Sequence, residues 1–343
     1  PHNLIINGAM TVAQRGTSFS VDDTFAKTLD RYTVADGSAG SFTVDQSTDT
    51  PDNFKNSLKI TVASADTSIA AGDYAWLQYI IEGNDCAYLS LGQSSAQTYT
   101  LSFWIKSSVT GTFSGGFENW DGGRGYAFTY AITLANTWEY KTVTVAGDTG
   151  GGNWKTDNLA GLYIYWDLGT GTDRTTAAAG SWSAARSVGV DGSTKLVSTN
   201  AATFYITGVQ LEAGSTASPF AHENYGDTLS KCQRYLQKVG GVNMYEQAAF
   251  GFIYSSTRAD VKYMPQVPMR AIPTISTTAA GNWAVTNGSS GGSVSSFAIA
   301  TSQSNNFILE LQAVSTGLTP VGHFVRVEAA GTTAADLRFD AEL

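Results

Sequence analysis

Apolar and polar residues alternate with a period of two along most of this chain. In TYTLSFWIKSS, Leu101, Phe103 and Ile105 fall on one face and Ser102, Trp104 and Lys106 on the other. That pattern is the mark of a strand with one buried face. In GLYIYWDLG, Leu162, Ile164, Trp166 and Leu168 share a face, and Tyr163, Tyr165 and Asp167 oppose them. TWEYKTVTVAG, FKNSLKITVAS and ATFYITGVQLE add further segments rich in Thr, Val, Ile and aromatic residues, which suit a pleated, half-buried surface. Turns rich in Gly, Asn and Asp separate them. Many short strands joined in this way predict an all-β fold, with a jelly-roll β-sandwich over 1–222.

The pattern changes after that point. In the segment from Gly214 to Gly241, Tyr225, Leu229, Cys232, Leu236 and Val239 recur at spacings of 4, 3, 4 and 3. Asp227 or Thr228 would cap a helix there and Gly240-Gly241 would stop it. The prediction is a helical connector over 223–242. It either packs one face on a sheet or forms a short bundle around an oligomer axis. A second, smaller β-sandwich domain is predicted over 243–343, where Leu337, Phe339, Ala341 and Leu343 alternate as if inside a sheet. A sandwich this small has edges to hide, and copies of itself are one cover.

Length and composition narrow the class. A chain of 343 residues suits two domains. Charged residues make up 14% and aromatics 12%, so the chain has the means to fold. The formal charge of -9 argues against nucleic acid and against an anionic membrane surface. No run reaches the roughly 18 apolar residues of a membrane span, so no membrane insertion is expected. The opening NLIINGAMTVAQRGTSF is not a targeting segment. Its apolar run is only Leu4-Ile5-Ile6, and Arg15 follows the run instead of preceding it. Locally it is a short strand and an Asn7-Gly8 turn. Cys86 and Cys232 stand far apart and read as buried free thiols. His2, His222 and His323 lack metal spacing; His222 suits a hinge or cap. Neither a metal nor a cofactor is expected.

The candidate chemistry is aromatic. Saccharides are bound by ring faces, with polar side chains reading the hydroxyls. GGFENWDGGRGYAFTY gathers Asn119, Trp120, Asp121, Arg124 and Tyr126 around glycines, either as a displayed loop or as a loop whose Trp120 folds back onto the sandwich. Tyr163, Tyr165 and Asp167 make a second platform if Ile164 and Trp166 take the core face. Trp104 and Trp154 are weaker candidates, and Tyr245, Tyr254 and Trp283 are candidates in the second domain. Glu118 and Asp121 are the nearest carboxylate pair for glycoside hydrolysis, but three-residue spacing in a glycine-rich loop is a weak signal. GxSxG, HExxH and P-loop strings are absent. The expectation is a protein that is not an enzyme.

One resemblance covers most of residues 3–275. NLIINGAMTVAQRGTSF, LDRYTV, the run from Ser47 to Gly83, LSFWIKSSVTGTF, ANTWEYKTVTVAGDTGG, the run from Phe204 to Val239 and MPQVPMRAIPTIS occur in this order. The set resembles tailed-bacteriophage tail or head fibre proteins with a carbohydrate-binding-module-like jelly roll. The resemblance implies a virion component, a homotrimer, contact with other virion proteins and adhesion to host surface carbohydrate. The alternative is a capsid-decorating or connector subunit that binds virion proteins only. Burial of Trp120, Tyr163 and Tyr165 at subunit contacts would favour the alternative; their lining an open groove would favour adhesion. Many such jelly rolls carry acids after the first Asn-Gly and before the last strand, and these hold calcium. Here Ala9-Met10 and Thr207-Gly208 stand in those places, so no calcium is expected there.

Overall fold

The computed structural model describes residues 3–288, 291–331 and 335–343. The chain divides into two compact units, with the division between Thr228 and Leu229. The first unit is a sandwich of two sheets, and the fold class is all-β as the alternation predicts. One sheet has six strands in the order Ser18–Val21, Ser41–Ser47, Ser57–Ser64, Thr203–Ala213, Tyr99–Ser107, Glu139–Val145. The other has seven, in the order Trp182–Ser183, Gly125–Ile132, Gly111–Glu118, Ala160–Asp167, Tyr74–Glu82, Tyr32–Gly37, Thr24–Lys27.

The side-chain period of a strand decides what lies between the sheets. Leu162, Ile164 and Trp166 join Leu77, Tyr79 and Ile81 from one sheet, and Leu101, Phe103, Ile105, Phe204 and Ile206 meet them from the other. Phe103 meets Trp166 edge-on, with centroids 5.7 Å apart. Tyr163 and Tyr165 therefore project from the opposite side of their sheet. Trp76, Tyr165, Ala35 and Val188 form a separate small cluster there, packed with Tyr74 and Tyr163.

The opening stretch differs from its local reading. Leu4–Ile6 forms no strand; the first strand is Ser18–Val21. Leu4 N donates to the Leu211 carbonyl and Val209 N to the Gly8 carbonyl, but the Asn3 side chain takes the place of a ladder bond by accepting from Leu211 N. The Thr203–Ala213 strand is also irregular between Thr207 and Gln210, which breaks a regular ladder. A Cβ at Gly8 would lie 2.1 Å from the Val209 carbonyl oxygen, so glycine is required at that crossing. The Asn7 amide is buried in bonds to Val12 and Asp30.

The helix is shorter than its spacing predicts. It runs Tyr225–Gln233, and Leu236–Gly240 is a strand paired antiparallel with Asp336–Asp340. Leu236 and Val239 therefore do not continue the face of Tyr225, Leu229 and Cys232. No helical seam of that length exists to support a bundle. Tertiary pairing overrode the local period.

The second unit, Leu229–Glu342, closes a barrel instead of stacking two sheets. Its strands follow the order Gln247–Ser255, Arg258–Tyr263, Leu309–Ser315, Gly291–Ile299, Trp283–Thr286, Phe324–Ala329 and back to the first. A three-stranded sheet of Leu236–Gly240, Asp336–Asp340 and Thr274–Thr277 accompanies it. Closure removes the barrel's open edges within the chain, so covering by copies is not needed for that purpose. Leu337, Phe339 and Ala341 are buried, as their alternation predicts. Trp283 is fully buried and is core, whereas Tyr245 and Tyr254 are exposed. Cys86 and Cys232 are both buried and free.

Candidate functional site

The outer face of the seven-stranded sheet carries a groove of 380 Å³. Its aromatic lining comes from three strands and one loop: Phe25, Tyr74, Trp76, Tyr163 and Tyr165, with Trp120 from the loop after Glu118. The register explains why these rings converge. Phe25 pairs with Ala35, Ala35 with Trp76, and Trp76 with Asp167, so one row crosses the sheet with a small residue between two rings. Gly37 pairs with Tyr74, and a Cβ there would lie 2.3 Å from the Tyr74 ring. The glycine lets that ring lie down against the sheet.

The rings touch in sequence. Tyr74 and Trp76 have centroids 4.9 Å apart, Trp76 and Tyr165 5.4 Å, and Tyr163 and Tyr165 6.1 Å with planes at 10°. Phe25 closes the other side, 5.6 Å from Tyr74. Trp76 and Tyr165 are each 4% exposed and form the floor, while Phe25 at 57% and Trp120 at 41% are open rims. Broad ring faces on a fixed sheet provide apolar contact area with little rotamer entropy to lose.

Polar groups line the same groove. Gln78 accepts from Trp76 Nε1 at 3.3 Å. Arg174 lies over the Tyr74 ring at 4.9 Å and donates from Nη1 to the Gly72 carbonyl at 2.6 Å. Glu118 is buried behind the tyrosines. Its Oε2 accepts from Tyr165 OH at 3.1 Å, and its Oε1 accepts from Ser187 N at 3.1 Å with Arg186 Nε 3.4 Å away. Burial pushes the Glu118 carboxyl above the ordinary glutamate value, more than Arg186, Ser187 and Tyr165 lower it. An acid with a raised folded pKa stabilises the fold below its unfolded value and loses that contribution as pH rises through the folded one. Wild-type protein should therefore lose stability relative to Glu118→Gln as pH rises above about 4.5. Urea unfolding of both proteins across pH 4 to 8 checks this.

The predicted site residues separate into two groups. Asn119, Trp120, Tyr163 and Tyr165 line the groove; Asp121, Arg124, Tyr126 and Asp167 do not. Asn119 is also structural, since its Oδ1 accepts from Arg124 N at 2.9 Å and its Nδ2 donates to the Asn153 carbonyl at 3.3 Å. Asp121 accepts from Gly123 N at 3.1 Å within the exposed loop. Arg124 is committed to buried Asp148, with Nε 2.9 Å from Oδ2 and a second contact from Nη2. Burial opposes ionisation of Asp148, yet Arg124, Gly150 N and Trp154 Nε1 hold its pKa below the ordinary value. Trp154 is thereby also structural, donating to Asp148 at 3.1 Å. Tyr126 packs on Trp182, 5.4 Å between centroids. Trp104 packs on Tyr140 and sits on a strand of the other sheet.

Asp167 is not exposed beside the tyrosines. Alternation places it on the tyrosines' face, but the segment 182–195 lies across that end of the sheet. A Cβ at Gly116 would meet the Ser187 carbonyl oxygen at 1.8 Å, and one at Gly189 would meet Asp167 Oδ2 at 2.5 Å. Glycine at both positions admits this close crossing, and Asp167 is fully buried beneath it.

Sequence reasoning missed Phe25, Tyr74, Trp76, Gln78, Arg174 and Arg186. A signal for three of them exists. In DYAWLQYIIE, Tyr74, Trp76 and Gln78 alternate with Ala75, Leu77 and Tyr79.

The sequence matches no protein-family model and no curated protein. Among solved structures, the chain is similar to the enzymatically active domain of tailspike protein 4 of bacteriophage CBA120. That likeness has 15% identity and a TM-score of 0.33, and covers 62% of this chain and 21% of that one. The chain therefore spans about a fifth of the tailspike's length. It is also similar to the carbohydrate-binding module CBM4, at 16% identity and a TM-score of 0.31, covering 61% of this chain and 98% of the module. A third similarity is to the family 11 carbohydrate-binding module of Clostridium thermocellum, solved with a β-1,3-1,4-mixed-linked tetrasaccharide. Its identity is 11% and its TM-score 0.29, over 57% of this chain and 95% of the module. Likenesses this distant bear on neither ligand nor site.

Proposed function

We propose that this chain binds saccharide along the groove on the outer face of its seven-stranded sheet, without chemical turnover. The observation that carries this reading is the line of rings from Phe25 through Tyr74, Trp76 and Tyr165 to Tyr163, in which Trp76 and Tyr165 form a covered floor and Phe25 and Trp120 are exposed at the rims. The only acid in the lining is Glu118, whose oxygens are engaged by Tyr165, Ser187 and Arg186. Asp121 lies outside the lining, so no second carboxylate faces Glu118 across the groove. That supports binding over hydrolysis.

The setting we propose is a bacteriophage virion fibre that attaches to host surface glycans. The ordered sequence phrases between Asn3 and Ser276 support this setting. Several shallow sites on one particle would raise avidity by about 10²–10⁴ where geometry permits.

A glycan array probed with wild-type protein and with the Phe25→Ala, Trp120→Ala double variant tests the reading. Both rings lie at the exposed rims and not in the floor, so the melting temperature should change little. The double variant should lose about tenfold or more in affinity. Absence of any saccharide binding by wild type, or binding that ignores the double substitution, would overturn it.

A further inference from the structure

We infer that the groove prefers saccharides bearing a carboxylate, a selection that rests on the saccharide-binding reading above. The charged side chains lining it are Arg174, Arg186 and Glu118. They are not equally available. Glu118 is 1% exposed and turned toward the sheet, where Tyr165, Ser187 and Arg186 engage its two oxygens. A ligand lying on the rings meets Tyr163 and Tyr165 before it meets that carboxylate.

The arginines are placed differently. The Arg186 side chain is 44% exposed, and its Nε lies 3.4 Å from Glu118 Oε1. At 3.4 Å this contact is longer than the bonds of a close bidentate pair, so the exposed guanidinium keeps N–H groups to offer a ligand. Arg174 lies over the Tyr74 ring and is anchored by one bond, from Nη1 to the Gly72 carbonyl. That bond restrains the guanidinium and leaves Nε and Nη2 as donors. A planar fork held in advance is what favours a carboxylate over a hydroxyl, because two parallel N–H groups match two oxygens.

The wider field does not reverse this preference. The formal charge of the chain is -9, which repels anions at long range. Exposed charges beyond roughly 8 Å are largely screened at physiological ionic strength. Among the residues that line the groove, the ligand meets two guanidinium groups and one enclosed carboxylate.

The test compares uronate- and sialate-bearing glycans with their carboxyl-reduced counterparts, on an array and then by calorimetry with the full chain. Native forms should bind about tenfold more tightly than reduced forms. Arg174→Gln and Arg186→Gln should each remove most of that difference, so that native and reduced forms bind each variant within about twofold of one another. Raising salt from about 50 to about 500 mM should weaken only the native forms. Using both variants guards against Arg186→Gln disturbing the fold through Glu118. Equal or tighter binding of the reduced forms would overturn the preference and leave the saccharide-binding groove standing. Absence of binding to every glycan, native and reduced, would overturn both.

Discussion

Asp167→Ala should destabilise the first unit by about 3–5 kcal/mol, the cost of removing one partner from a buried ion pair. Asp167 is fully buried. Its Oδ2 accepts from Lys195 Nζ at 2.5 Å and from Ser114 Oγ at 3.2 Å, and its Oδ1 accepts from the backbone N–H groups of Gly169 at 3.0 Å and Thr170 at 2.8 Å. Alanine leaves the Lys195 ammonium without its counter-charge and two turn N–H groups without an acceptor. Each abandoned donor adds a desolvation cost of about 1–3 kcal/mol that folding cannot recover elsewhere. Asp167→Asn keeps an acceptor for the turn but sets an NH₂ group against Lys195 if that acceptor is retained, so its loss should be intermediate. Urea midpoints at unchanged m value measure both. A loss below about 1 kcal/mol for alanine would show that the enclosure is not structural. Asp167 would then again be a candidate for reading ligand hydroxyls.

Trp76→Ala should lower stability by about 3–5 kcal/mol and abolish saccharide binding together. Unlike Phe25 and Trp120, Trp76 is 4% exposed. It is the ring that Tyr74, Tyr165 and Phe25 all contact, at 4.9, 5.4 and 6.1 Å. Removing it opens a void beneath the groove and releases three neighbours from their fixed planes. Trp76→Phe preserves a ring at the centre and should lose less on both measures, because part of the apolar volume stays filled. Thermal unfolding and calorimetric titration of the two variants separate the outcomes. Full affinity in a folded Trp76→Ala protein would mean that the ring line is not the binding surface.

The faces of the strands were legible in the sequence. Leu162, Ile164 and Trp166 against Tyr163 and Tyr165 is a period-two statement, and the sheet obeys it. DYAWLQYIIE was harder to read because aromatic residues occupy both faces of the strand. Tyr79 enters the core and Trp76 floors the groove, and nothing in the local pattern ranks one above the other. The fate of Asp167 was not legible, because a segment fifteen and more residues later in the chain covers it. Arg174 and Arg186 reach the groove for a similar reason. They lie in stretches with no regular period, and Gly116 permits the close crossing at Ser187, next to Arg186. The strand at Leu236–Gly240 shows the opposite failure. Its spacing continued a helical seam, but pairing with Asp336–Asp340 decided its conformation.

The most direct test of the groove is to follow the indole N–H resonances by NMR while titrating a saccharide that the array shows to bind. The signals of Trp76 and Trp120 should shift together in a saturable manner. Those of Trp166, enclosed between the sheets, and Trp138, which packs on Tyr205, should stay in place. Saturable shifts confined to Trp104 or Trp138, with Trp76 and Trp120 unmoved, would place the saccharide on the other sheet and contradict the proposed site.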